Sequence, residues 1–349
     1  MSENSTAGGL LERLDAGPVI CAEGYLFEFE RRGYLQAGSF VPEIVLERPD
    51  LVRVLHEEFV HAGSDVVLAF TYYGHREKLR VIGKEDLLEP LNRDALALAV
   101  EVAQATGTLA AGDLCNTNAY APDRESELAV RRMFDEQMEW IAHSAVDYVV
   151  AETFSYAAEA LIALEAIKAA GLTAVMTLAI HQAEQTRDEL SPEDACRRLA
   201  DAGADVVGLN CIRGPQTMMP LIERIRAAVD VPVAALPVPY RTTPGQPSFQ
   251  SLRDPGCDCL PGDRPFPTAL DPFTCNRYEL GEFARSAHAL GVDYLGVCCG
   301  AGAHHIRSLA EALGRTPPAS RFSPDMSKHA FLGNDARLKE HNREYATEL

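Results

Sequence analysis

Three cysteines stand where they could act together. Cys211 follows Gly208-Leu209-Asn210, and the adjacent pair Cys298-Cys299 follows Gly296-Val297 and precedes Gly300. A thiolate is a strong nucleophile and a soft metal ligand. Three thiolates around Zn²⁺ leave one tetrahedral position open, the arrangement of a catalytic rather than a structural zinc. Neighbouring residues of a regular strand point to opposite faces, so both members of the pair reach one ion only if the chain turns there. Gly300 and Gly302 permit that turn. The competing reading is three buried core thiols, since free cysteine is among the most buried residue types. Residue type and spacing leave both open.

The remaining chemistry-bearing residues rank lower. Cys21, Cys115, Cys196 and Cys275 read as packing residues. Cys257-Asp258-Cys259 could bind a metal in its loop, but no nearby Cys or His pair completes a site. His56 and His61 miss the zincin His-Glu-x-x-His spacing. His304-His305 reads as helix surface. His181 reads as a structural histidine just past the fifth strand, close enough to the rim to line it.

The elements that must position these residues come from an alternation. Short apolar runs at 18–22, 65–70, 108–112, 147–151, 173–178, 205–209, 231–236 and 294–297 read as strands buried on both faces. Helix-like stretches lie between them, among them 49–62, 95–106, 127–145, 157–170, 192–202 and 215–228. Four helix-to-strand approaches share one grammar, HAGSDVV, AAGLTAV, DAGADVV and ALGVDYL, in which Gly fits a helix C-cap. Eight β-then-α steps match a single (β/α)₈ TIM barrel over 1–315. A doubly wound open sheet is the alternative, weakened by the lack of Gly-x-Gly-x-x-Gly after the first strand. A long loop of 237–272 holds nine of the 21 prolines after strand seven, and 316–349 reads as a C-terminal extension.

Barrels place their chemistry where strands end. Those points carry Glu23-Gly24, Thr71-Tyr72-Tyr73, Glu152-Thr153-Phe154, Asn210-Cys211 and Cys298-Cys299-Gly300. Two carboxylates, an aromatic cluster and three cysteines therefore share one rim. Strands six and eight lie two ladder steps apart, ~10 Å, which inward-leaning cysteines can bridge to one ion.

Composition narrows the class. Of 349 residues, 47% are hydrophobic and 24% charged, the balance of a globular enzyme. No run of ~18 apolar residues exists, so no membrane span is expected. The start, MSENSTAGGLLERLDAG, lacks a basic segment followed by an apolar one, so no export signal is read and the expected compartment is the cytoplasm. There the nine cysteines suggest metal or thiol chemistry before disulfides. A net charge of −19 argues against nucleic acid as a partner. It fits weak steering of a cationic ligand, or solubility alone.

Gly208-Leu209-Asn210-Cys211 and Gly296-Val297-Cys298-Cys299-Gly300 resemble the zinc motifs of the homocysteine S-methyltransferase family. GLLERLDAG, EFERRGYLQAG at 28–38 and the stretch from Thr71-Tyr72-Tyr73 to REKL resemble its betaine–homocysteine methyltransferases more locally. The likeness runs from about residue 9 to residue 315. It implies a zinc-bearing barrel in which Cys211, Cys298 and Cys299 hold Zn²⁺. It further implies transfer of a methyl group from an onium donor, glycine betaine or a sulfonium, to the homocysteine thiol, forming methionine. Glu23, Gly24 and Glu152 would face the acceptor. Phe40, Tyr72, Tyr73, Thr153 and Phe154 would surround the donor, the rings forming a cage for a methylated cation.

The chain departs from the betaine pattern at four points. Glu23 stands for an Asp, Phe40 occupies a turn that carries Trp, Thr153 stands for Tyr, and Leu68-Ala69 replaces Gln-Thr. The changes at Phe40 and Thr153 point to a roomier donor site, weak with glycine betaine and better with a bulkier or sulfonium donor, whereas Leu68-Ala69 touches acceptor recognition. The C-terminal arm is shorter than in the betaine type, and a homo-oligomer is possible. From a different class, a non-catalytic zinc-binding or redox-sensing barrel is the alternative function.

Overall fold

The structure, a computed structural model, describes residues 8–345. Residues 1–7, where the expectation of no export signal begins, and 346–349, the end of the expected extension, lie outside the described residues. A short α1 (Leu10–Ala16) leads into β1 (Val19–Ala22). Then come α2 (Tyr25–Arg31), α3 (Ile44–Glu47), α4 (Pro49–Ala62) and β2 (Val66–Leu68). Next are α5 (Arg76–Val81), α6 (Leu88–Thr106), β3 (Leu109–Cys115), α7 (Arg124–Ala142) and β4 (Tyr148–Phe154). The second half follows as α8 (Ala157–Ala169), β5 (Ala174–Leu178), α9 (Pro192–Asp201), β6 (Val206–Asn210), α10 (Pro215–Ala228) and β7 (Val233–Leu236). It closes with α11 (Arg277–Ala289), β8 (Tyr294–Val297), α12 (Ala303–Ala312) and a tail containing α13 (Glu340–Tyr345).

All neighbouring strands pair in parallel, and β8 returns to β1 with Val19 opposite Tyr294 and Ala22 opposite Val297. The result is a closed eight-stranded barrel wrapped by helices, as the alternation implies. The strands are Val- and Ala-rich and buried on both faces. Their axis is filled by side chains: the Tyr148 and Tyr294 hydroxyls meet inside it at 3.0 Å.

The shared helix-to-strand grammar has a double role. Gly63, Gly171, Gly203 and Gly291 all take positive φ, ending their helices in the left-handed region. The Asp two residues after Gly63 and Gly203 then caps the neighbouring strand. Asp65 Oδ2 accepts from the Ile20 N–H and Asp205 Oδ2 from the Ala174 N–H, each at 2.8 Å. Asp147, before β4, does the same for Ala110. Arg315 closes the barrel's far end by donating to Asp65 Oδ2 at 2.6 Å.

Two strands outrun their apolar runs by three residues. β3 continues through Asp113 to Cys115, and β4 through Glu152 to Phe154. Backbone pairing persists there, Asp113 opposite Val150 and Cys115 opposite Glu152, although the side chains turn polar. Helix α6 begins earlier than the expected 95, because Pro90 falls in its first turn, where no intrahelical N–H is needed. Residues 237–272 form an irregular segment with three short 3₁₀ turns. No described residue from 311 onward is buried, so the tail lies on the outside. No helix among the described residues is long and apolar enough to cross a membrane.

Candidate metal centre and active site

The three cysteines meet. The Sγ atoms of Cys211, Cys298 and Cys299 all lie within 4.8 Å of one another. Sulfurs on a tetrahedral zinc with ~2.3 Å bonds sit ~3.8 Å apart, so the set needs little adjustment to ligate. Local backbone makes the meeting possible. Cys211 and Ile212 both take positive φ (56° and 59°), which ends β6 abruptly and turns Cys211 toward the axis. β8 stops at Val297, and the Ala301 N–H donates to the Cys298 carbonyl at 3.0 Å across a tight turn. Gly300 supplies the φ of 94° that this turn requires. From α2, Arg31 clamps the turn: it donates to the Gly300 carbonyl at 3.0 Å and to the Tyr240 hydroxyl at 2.9 Å.

The thiols are not equivalent. Hydrogen bonds from Cys298 and Cys299 pull the Cys211 thiol well below its ordinary range. Cys298 is pushed up, mainly by burial, and Cys299 is pushed up, mainly by its hydrogen bond to Cys211. The cluster therefore favours a thiolate already. A donor set of three sulfurs, one of them readily ionised, fits a soft divalent cation such as zinc.

A buried acidic floor lies beside the sulfurs. Carboxylate oxygens of Glu23 and Glu152 come within 4.8 Å of each other and of Cys298 Sγ. Asn210, the last residue of β6, holds both: its Nδ2 donates to Glu152 Oε2 at 2.6 Å and to Glu23 Oε2 at 3.2 Å. The Thr153 hydroxyl also donates to Glu152 Oε2 (2.9 Å), and the Thr153 N–H donates to Asn210 Oδ1 (2.9 Å). Burial first, then Glu152, raises the Glu23 carboxyl, while burial and then Asp113 raise that of Glu152. Among the described residues no Lys or Arg forms an ion pair with either, so the plain alternative of a rim salt bridge is not what these carboxylates make.

Above the sulfurs opens a cavity of roughly 330 Å³. Phe40, Tyr72, Tyr73, Thr153, Cys211 and Cys299 all line it. The Tyr72 and Tyr73 rings lie 4.5 Å apart, and Lys78 Nζ covers one face of Tyr73 at 4.1 Å. The long loop closes the opposite side with Phe249 and Phe266, whose rings meet edge-on at 4.9 Å. Backbone strain concentrates here: of eight described non-glycine residues at positive φ, Phe40, Tyr73, Asn118, Thr153, Cys211 and Ile212 line this one cavity. Such conformations persist only where surrounding structure over-determines them, and they cluster at functional sites.

Phe154 does not belong to the expected cage. The β4–β5 register shifts between Ala151 and Phe154, and Thr153 takes φ 64°. This bulge carries the ring of Phe154 out of the cavity onto Phe134 of α7, with centroids 6.0 Å apart. Gly24 opens α2, where an added Cβ would fall 2.2 Å from the Ala301 carbonyl oxygen; it allows α2 to approach the cysteine turn.

The lower-ranked residues sort as follows. Cys21, Cys115, Cys196 and Cys275 are buried free thiols. Cys257 and Cys259 are joined in a disulfide, which consumes the thiols of the pair read as a possible metal motif. His181 lines the cavity with its Nε2 3.0 Å from Ser155 Oγ. His305 is buried rather than on the helix surface, its Nδ1 accepting from the Gly302 N–H, while His304 is exposed.

Sequence reasoning missed Asp113, the bridging role of Asn210, Arg31, and the aromatic wall of Phe27 and Phe249. In the sequence Asn210 shows only as a strand end next to Cys211, with nothing to mark its bridging of two carboxylates. Asp113 was missed because the apolar run stops at Gly112, one residue short of it.

Comparison with known proteins gives consistent likenesses. A family model described as homocysteine S-methyltransferase matches residues 24–313. Betaine–homocysteine S-methyltransferase 1 of Danio rerio is 37% identical over 340 residues, covering 95% of this chain and 81% of the relative. S-methylmethionine–homocysteine S-methyltransferase BHMT2 of Pongo abelii is 35% identical over 333 residues, covering 93% and 86%. The metallated homocysteine methyltransferase MmuM of Escherichia coli shares the fold, with TM-score 0.67 at 18% identity over 85% of this chain and 97% of that one.

Proposed function

The chain belongs to the homocysteine S-methyltransferase family, and from that premise we propose that it is a zinc enzyme moving a methyl group from an onium donor to homocysteine, forming methionine. Membership makes it a methyltransferase and displaces the non-catalytic barrel. The single observation that carries the finer reading is the convergence of Cys211, Cys298 and Cys299 beside the buried Glu23 and Glu152.

Cys211, Cys298 and Cys299 would hold the metal. Bound there, zinc supplies the Lewis acidity that keeps an acceptor thiol ionised and nucleophilic. Glu23 and Glu152 pair with the acceptor's ammonium, and Asn210 and Thr153 keep Glu152 in place for it. Tyr72, Tyr73 and Phe40 present ring faces to the donor's cationic head. Attack on the methyl carbon forms the new C–S bond as the electrons of the breaking bond return to the onium atom. Charge is neutralised in that step, so no general base is asked of the cavity's residues. Their task is to align donor and acceptor and to exclude water.

The donor is a sulfonium in preference to glycine betaine. Phe40 offers a weaker ring face than the Trp of the betaine pattern, and Thr153 offers none. Residues 1–315 would form the catalytic unit and 316–349 an external extension, in the cytoplasm.

Incubating zinc-loaded protein with homocysteine and, in turn, S-methylmethionine, dimethylsulfoniopropionate and glycine betaine tests the reading. Stoichiometric methionine from at least one donor is expected. No methionine from any onium donor would overturn it.

A further inference from the structure

Below the sulfurs, a second and much smaller cavity of about 10 Å³ lies against the barrel interior. That is room for about one water-sized group, and an ammonium is such a group. Its lining includes Glu23, Glu152 and Cys298, and also Asp113. Tyr72 and Cys299 line both this cavity and the larger one, so the two are neighbours across the metal centre.

Beyond a hydrogen bond with Thr71, the Asp113 side chain has no partner that accounts for its burial. It sits on β3, whose alternation is clear: a Cβ on Gly112 would meet Ile141 of α7 at 3.0 Å, so Gly112 faces the helices and Asp113 faces the axis. Leu109 and Ala111, on the same face, are apolar. Asp113 is 1% exposed, and its Oδ1 has no hydrogen-bond partner. Glu23 Oε1, in the same lining, is also buried without a partner. No Lys or Arg among the described residues pairs with Asp113. Burial, then the Glu23 carboxylate, raises the Asp113 carboxyl, and Asp113 in turn raises that of Glu152, so the groups feel each other.

Buried carboxylates without counter-ions are costly, and two oxygens left unpartnered add to that cost. A cation placed among them relieves both at once. A primary ammonium has three N–H donors and no acceptor. Glu23, Asp113 and Glu152 offer one carboxylate to each.

We propose that Asp113 is a third acidic contact for the acceptor's ammonium, completing with Glu23 and Glu152 a small acidic pocket that selects an amino-acid thiol over a thiol lacking the amine. This rests on the homocysteine reading above and adds to it a residue and a specificity. The pocket is sized for an unsubstituted ammonium. N-Acylated or N-methylated acceptors are rejected by the fit, and the deaminated analogue by the uncompensated carboxylates.

Calorimetric titration of the zinc-loaded protein with L-homocysteine and with 4-mercaptobutanoate, both kept reduced, tests this without a donor. The wild type should bind homocysteine at least roughly tenfold more tightly. In Asp113→Asn, homocysteine should weaken roughly tenfold or more, while 4-mercaptobutanoate changes less than about twofold or tightens. Asp113→Gly, which removes the side chain outright, should show the same loss of selectivity, and serves if the amide variant does not fold. Zinc content should stay unchanged in both. Equal weakening of the two thiols, or no change in either, overturns the role of Asp113 while leaving the methyltransferase reading intact if the wild type makes methionine. A wild type that binds no homocysteine overturns both.

Discussion

A Cβ added to Gly300 would lie 2.1 Å from the Tyr240 hydroxyl oxygen. Tyr240 comes from the long loop after β7, and Gly300 from the turn that presents two of the three clustered sulfurs. The contact, with Arg31 bonded to both residues, ties the loop to the metal turn. Gly300→Ala should therefore do more than strain a φ of 94°. It should push the turn away from Tyr240 and weaken zinc binding at least roughly tenfold, about 1.4 kcal/mol, read by competition with a chromophoric chelator. Wild-type affinity in this variant would mean that the turn can reshape without moving Cys298 and Cys299.

Removing any one thiol should empty the centre. Cys211→Ala, Cys298→Ala and Cys299→Ala are each expected to lose most of about one zinc per chain, measured by metal analysis after dialysis. Changing Cys257 and Cys259 together should leave zinc content intact, because that pair is disulfide-bonded. Retained zinc in all three single variants would remove the site.

Donor preference should follow the walls. Phe40 already packs edge-on against Phe27, with centroids 5.6 Å apart, so a larger ring there has support. Phe40→Trp is expected to raise the ratio of kcat/KM for glycine betaine over that for a sulfonium severalfold. Adding Thr153→Tyr should raise the ratio further but also increase KM for homocysteine, because the Thr153 hydroxyl donates to Glu152 at 2.9 Å. A wild type that uses betaine faster than every sulfonium tested would contradict this account of the walls.

Acid should destabilise the fold through its buried imidazoles. Burial pushes His56 down to about 3 from an ordinary 6.5, while its Nδ1 pairs with the Tyr25 hydroxyl at 3.1 Å. His75 and His305 are pushed down to about 4 and about 3, each mainly by burial. A base depressed in the fold contributes stability that is complete above its unfolded value and is lost as pH falls from about 6.5 toward 3. For His56 alone the loss by pH 5 is about 2 kcal/mol. His56→Gln keeps a partner for Tyr25 and cannot take up that proton. Urea unfolding at pH 7.5 and pH 5 should show a smaller drop for the variant than for the wild type. Equal drops would mean that His56 is protonated in the folded protein.

The barrel was legible in the sequence because its signals are local. Val-rich runs bury both faces, the Gly-x-Asp turns cap helix and neighbouring strand within a few residues, and Cys298-Cys299-Gly300 carries its own turn. Cys211, Cys298 and Cys299 were readable as one cluster once eight strands were counted, since strand ends share a rim by topology. So were Glu23 and Glu152, which stand at the ends of β1 and β4 on that same rim. Asp113 was not: it lies inside β3, and only the barrel's register brings it into one small pocket with the two glutamates. Nor was the fate of Phe154 readable, because a bulge at Thr153 reverses the alternation that a regular strand would obey. Periodicity and turn chemistry act over a handful of residues and survive in the chain as pattern. Facing across a closed sheet depends on stagger and on single backbone irregularities, and those exist only once all eight strands have paired.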